Sequence, residues 1–114
     1  MKELIDEFLD YLSAERGLSN NTISSYRRDL NKYREYLPRI GRTSLPDVKR
    51  DDIMSFMLSL KDKGLSANSI ARNLVAIKVF HRFLFRERKI PADVTSVLES
   101  PKLWKKLPDV LTYN

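Results

Sequence analysis

Apolar residues recur along this chain at alternating spacings of three and four. Leu4, Ile5, Phe8, Leu9 and Leu12 fall on one stripe of a helix, which predicts a first helix over residues 3–16 with that stripe facing a core. Gly17 ends it, since glycine takes the left-handed conformation that a C-terminal cap needs, and Arg16 suits the negative end of the helix dipole. A second helix is expected to start at Asn20 or Asn21, whose side chains can accept hydrogen bonds from free backbone N–H groups. Its buried stripe is Ile23, Tyr26, Leu30, Tyr33 and Leu37, and Pro38 terminates it. Residues 38–49, punctuated by Gly41 and Pro46, read as a connection without regular structure.

A third helix is predicted from Arg50 or Asp51 with Ile53, Phe56, Met57 and Leu60 inward, and Gly64 closes it. Asp51 and Asp52 then sit in its first turn, where negative charge meets the positive end of the dipole. Ser66 is a good N-cap for a long fourth helix reaching about Lys89, with Ile70, Leu74, Ile77, Phe80, His81 and Leu84 along one side. Residues 93–98 suggest a short terminal helix after Pro91, and Pro101 and Pro108 keep the remainder extended, like a linker. Two-residue alternation is nowhere sustained. The expected fold is therefore all-α: an orthogonal bundle of four main helices, a short C-terminal helix and an extended tail.

Composition narrows the class without deciding it. A length of 114 residues suits one hydrophobic core, and 42% apolar with 32% charged residues lies in the globular range. With no cysteine and a single histidine, neither a disulfide framework nor a His-rich metal site is expected, and an intracellular compartment fits. The acidic, amphipathic start MKELIDEFLDYL does not read as a secretion signal, and no stretch approaches ~18 apolar residues, so no membrane span is expected.

The distribution of charge is more informative than its total of +6. Residues 1–15 hold one Lys against five acids, a net of −4, which rules the first helix out as a ligand for DNA. Residues 16–42 hold seven Lys or Arg against two acids, and residues 66–89 six against one, so each segment carries +5. The other two stretches balance. If folding brings the two basic segments together, they form one patch that attracts a phosphate backbone. Both are introduced by similar sequences, Arg-Gly-Leu-Ser-Asn-Asn-Thr-Ile at 16–23 and Lys-Gly-Leu-Ser-Ala-Asn-Ser-Ile at 63–70. One explanation is that two helix pairs need the same turn chemistry; the other is that small polar residues let phosphate approach each helix N-terminus.

Positions turned away from the apolar stripes supply the candidate DNA contacts. On the second helix these are Asn21, Thr22, Ser25, Arg28 and Lys32, with Ser24 and Glu35 also outward and Arg28 the strongest single candidate. On the fourth they are Ser66, Asn68, Ser69, Arg72, Asn73, Lys78 and Arg82. Arg can pair with guanine, Asn with adenine, and Lys mainly supplies charge for phosphate. No catalytic constellation stands out: Gly17, Gly41 and Gly64 are lone turn residues, and His81 lies on an apolar face as a structural core histidine would. Trp104 is either a docking aromatic or apolar cover for the tail.

Three stretches, in order, resemble the core-binding (SAM-like) domain of phage-integrase-type tyrosine recombinases, especially the Xer group. Gly-Leu-Ser-Asn-Asn-Thr-Ile-Ser-Ser-Tyr-Arg-Arg-Asp-Leu at 17–30 is similar to that domain's opening. Residues 64–84, ending Phe-His-Arg-Phe-Leu, are similar to its helix with an aromatic-Arg-Phe-Leu signature, and residues 101–112 to its linker into a catalytic domain. The sequence departs at Trp104, where a proline or small residue is expected, and at Asn73, where a second basic residue often follows Arg72.

The resemblance implies a DNA-binding domain over residues 1–100 and a linker over 101–114, with Thr112 capping the first helix of a catalytic domain beyond it. Such recombinases clamp double-stranded DNA between two domains, with two helices of the N-terminal one crossing the major groove; here these correspond to residues 21–37 and 66–88. Their nucleophilic tyrosine, two arginines, a lysine and His or Trp residues belong to the other domain, so Tyr113 is not that nucleophile. On this view the chain is a fragment without an active site, largely monomeric alone, and no metal or nucleotide cofactor is implied. Its parent acts as a tetramer on two DNA sites, with or without a paralogous recombinase, in chromosome dimer resolution or in integration and excision of mobile DNA. The cytoplasm, at the nucleoid, is the matching compartment. The alternative is a freestanding basic helical module that binds an acidic protein.

Overall fold

A computed structural model describes residues 1–97, and among these the chain forms four α-helices and no strand. They are α1 (Lys2–Ala14), α2 (Asn20–Tyr36), α3 (Arg50–Asp62) and α4 (Ala67–Arg86). The all-α expectation holds, and every apolar stripe read from the sequence turns inward. Ile5, Phe8, Leu9 and Leu12 of α1, Leu30 and Tyr33 of α2, Ile53, Phe56, Met57 and Leu60 of α3, and Ile70, Leu74, Ile77, Phe80 and Leu84 of α4 are all buried. No described helix is long and apolar enough to cross a membrane.

Several local expectations are corrected. The first helix ends at Ala14, and the chain reverses through Gly17 at φ +61°, with Leu18 N–H donating to the Leu12 carbonyl at 3.2 Å. The cap of α2 is neither asparagine: Ser19 Oγ accepts from Thr22 N–H at 3.2 Å, so Asn20 is already helical. Residues 38–49 are not irregular. They contain two short 3-10 helices, Leu37–Ile40 and Leu45–Asp47, each with proline near its start, where the missing N–H costs nothing. The fourth helix stops at Arg86, short of Lys89, and the short terminal element is a 3-10 turn, Val94–Val97. The expected linker, with Trp104, Thr112 and Tyr113, and the domain boundary at residue 100 lie outside the described residues.

Packing explains how the two basic helices are placed. Helices α2 and α4 touch directly, α1 packs against both, and α3 packs against α4. The Phe8 ring of α1 fills the α1–α2–α4 junction, 5.3 Å from Phe80, 5.4 Å from Phe83 and 5.9 Å edge-on from Tyr26. Such aromatic pairs add about 0.5–1.5 kcal/mol each beyond the burial of their surface. A second group joins α2, α3 and α4, with Tyr33 5.6 Å from Phe56 and 5.8 Å from His81. At the rim, Arg27 of α2 pairs with Asp6 of α1 at 3.1 Å. The 3-10 connection is fastened to α3 by Asp52, whose carboxylate accepts from Arg42 Nε at 2.7 Å and from Lys49 N–H at 2.8 Å. Burial pushes the Asp52 carboxyl up, but the Arg42 guanidinium and the Lys49 N–H outweigh it and hold its pKa below the usual value.

Candidate nucleic-acid interface

The N-termini of α2 and α4 are built alike. Ser19 Oγ caps the Thr22 N–H, and Ser66 Oγ caps the Ser69 N–H, each at 3.2 Å and each three residues ahead of its donor. The same hydroxyls also donate onward, Ser19 to Thr22 Oγ1 at 3.0 Å and Ser66 to Ser69 Oγ at 3.2 Å. The internal echo is thus a repeated capping device. It commits the Ser66 hydroxyl to the backbone of α4 first, with the Ser69 hydroxyl accepting from it.

Beyond the caps, α2 and α4 enclose a groove of about 260 Å³ lined by Thr22, Ser25, Tyr26, Asp29, Arg72 and Val75. Three of the expected contact residues, Thr22, Ser25 and Arg72, therefore share one concavity although they are up to 50 positions apart in sequence. The two cationic helices converge there. Arg28 continues the surface beside the groove, its Nη2 donating to Ser25 Oγ at 3.3 Å. Asn21, Ser25, Arg28 and Lys32, spaced four, three and four, form one stripe of α2, and all but the half-buried Ser25 are exposed. On α4, Asn68, Arg72, Val75, Val79, Arg82 and Arg86 make the corresponding stripe by the same spacing.

Two expected residues sit elsewhere. Asn73 is fully buried at 0% exposure, its Nδ2 donating to the Ser69 carbonyl at 2.8 Å, so it does not belong to the outer surface. The signal was present in the sequence: Asn73 lies three residues after Ile70 and four before Ile77, on the apolar stripe itself. Lys78 is half-buried at the far border of the exposed face, about 120° around the helix from Arg72 at 3.6 residues per turn.

Two functional-looking residues escaped the sequence reading. Asp29 is 2% exposed and accepts twice from Arg72, Nε to Oδ2 at 3.0 Å and Nη2 to Oδ1 at 3.1 Å, so the ion pair bridges the two helices across the floor of the groove. Its position in α2 between Arg28 and Leu30 gave no hint of a partner 43 residues away. Arg86 ends the α4 stripe with its guanidinium 5.0 Å over the ring of Tyr11 on α1. Hydrogen bonding to Arg86, and then to Arg16, draws the Tyr11 hydroxyl below its ordinary pKa. His81 is a core residue, as expected, paired with Tyr33 and remote from this surface.

The stretch of chain that builds these four helices matches a known family. Residues 5–88 match the phage integrase N-terminal SAM-like domain, and the chain belongs to that family. Among its relatives, tyrosine recombinase XerD of Oceanobacillus iheyensis is 44% identical over 109 residues, which cover 95% of this chain and 37% of that protein. The XerD proteins of Staphylococcus haemolyticus and Staphylococcus aureus are each 44% identical over 111 residues, 97% of this chain and 38% of theirs. The chain thus spans less than two fifths of the length of these curated relatives.

Proposed function

We propose that this chain is the DNA-binding N-terminal domain of a Xer-like site-specific tyrosine recombinase and grips its recombination site through α2 and α4. One observation carries the reading: the two segments with +5 charge each meet along a groove that Thr22, Ser25 and Arg72 line together. Phosphate oxygens seek the exposed cations that flank this groove, Arg28 and Lys32 along its α2 edge and Arg82 along its α4 edge, while Asn68 adds a polar side chain beside them. The acidic α1 stays on the side away from DNA.

In this proposal residues 1–100 form the binding domain and 101–114 the connection to a catalytic domain that supplies the tyrosine nucleophile. The parent enzyme assembles as a tetramer on two DNA sites, alone or with a paralogous recombinase, at the nucleoid in the cytoplasm. Its reaction resolves chromosome dimers or integrates and excises mobile DNA. The chain alone binds as a monomer and weakly, since half a clamp makes half the contacts.

A gel-shift titration of the chain on duplex DNA at rising salt tests this. Binding is expected to weaken steeply, because each neutralised phosphate releases counterions. DNA affinity that does not respond to salt, or tight binding only to an acidic protein, overturns it.

A further inference from the structure

We infer that Asp29 makes Arg72 a reader of a guanine edge rather than a phosphate contact, which rests on the DNA-binding reading of this groove. The carboxylate takes the side of the guanidinium, Nε–H and one Nη2–H. What remains is the outer edge, an Nη1–H beside the second Nη2–H, two parallel donors on a side chain that is still 50% exposed. That fork matches the O6 and N7 acceptors of guanine in the major groove.

Electrostatics separates the two possible targets. Phosphate binding draws on net positive charge, and the Asp29 carboxylate cancels that of Arg72 at the groove floor. A base edge is recognised by directed hydrogen bonds, which the cancellation leaves in place. A free arginine also samples many rotamers; here the bidentate pair, with Tyr26 and Val75 alongside, holds the fork at one place and angle. Arg28 and Lys32, which make no ion pair among the described residues, are left to neutralise phosphates. Asp29 is in this sense a positioning residue and Arg72 the contact.

The test uses the chain, a random-sequence duplex, and duplexes enriched from it by rounds of selection on the chain. In the enriched duplexes, replacing guanine by 7-deazaguanine at one position is expected to weaken binding about tenfold, by removing the N7 acceptor. Arg72→Lys keeps the charge and loses the fork, so it should bind the enriched duplex about tenfold less well and show no further loss on 7-deazaguanine DNA. Asp29→Asn releases the charge of Arg72: its random-duplex affinity should rise, the slope of log K against log salt should steepen by about 0.9, and the preference for enriched over random duplex should fall. Circular dichroism confirms that each variant is folded. Equal losses on both duplexes with an unchanged salt slope for Asp29→Asn would make Asp29 a folding residue only. Indifference to 7-deazaguanine at every position overturns the base contact. Absence of salt-dependent binding by the unaltered chain instead removes the DNA reading underneath.

Discussion

The Tyr33 hydroxyl lies 2.8 Å from His81 Nε2 in the core, joining α2 to α4 behind the groove that their outer faces form. His81 is 1% exposed, and burial lowers its pKa to about 4 from the ordinary 6.5, with Asp93 opposing weakly. The folded chain therefore holds His81 neutral where the unfolded chain protonates it. Between those two values the unfolded state binds more protons, so this contribution to stability is complete above about pH 6.5 and is lost as pH falls toward about 4, amounting to roughly 3 kcal/mol in all. Urea titrations from pH 7.5 to 4.5 are expected to show that decline, and His81→Gln should flatten it. A decline of the same size in His81→Gln would place its origin in other groups.

Turn geometry makes an independent prediction. Gly64 has φ +91° with open space where a Cβ would stand, so Gly64→Ala is opposed by backbone conformation and not by a clash, at about 1 kcal/mol. After α4 the corresponding left-handed position is held by Arg88 at φ +59°, a conformation that costs an L-residue energy. Arg88→Gly should therefore stabilise the chain, by about 0.5–1 kcal/mol once glycine's greater freedom in the unfolded state is set against it. Thermal melts of the two variants should move in opposite directions, and shifts of the same sign would contradict the assignment.

The helices were readable because burial on a helix leaves a three-and-four signature, and Leu4 to Leu12, Ile53 to Leu60 and Ile70 to Leu84 all carry it. The serine turn before α4 was readable from local chemistry, whereas before α2 the adjacent asparagines masked Ser19, because residues of similar capping strength compete for one position and only backbone geometry decides between them. Asp29 was not readable at all. A carboxylate next to Arg28 looks like a surface residue until the fold sets Arg72 against it, and that pairing spans 43 positions. Asn73 is the opposite case: a side chain of DNA-reading type stands on an apolar stripe, where position on the helix and not side-chain chemistry decides its burial.

That reassignment of Asn73 is measurable. Its Nδ2–H bond to the Ser69 carbonyl lies in the core while its Oδ1 has no partner among the described residues, so removing the amide gives up one hydrogen bond and relieves one unpaired acceptor. Asn73→Ala is expected to lower stability by about 1 kcal/mol and to leave the DNA affinity of the folded chain within experimental scatter. A selective loss of DNA binding without loss of stability would return Asn73 to the surface.

Arg28 should behave differently from both Asn73 and Arg72. It is exposed beside the groove, and among the described residues its side chain donates only to the neutral Ser25 hydroxyl, at 3.3 Å, and makes no ion pair, so its charge is available to a phosphate. A phosphate contact weakens all sequences alike and contributes to counterion release, whereas a base contact discriminates and releases none. Arg28→Ala is accordingly expected to reduce affinity for random and selected duplexes by a similar factor, costing up to about 1 kcal/mol, and to lower the salt slope by about 0.9, with the thermal melt unchanged. If the variant instead loses preference among sequences while keeping its salt slope, then Arg28 reads a base and the division of labour between the two helices is the reverse.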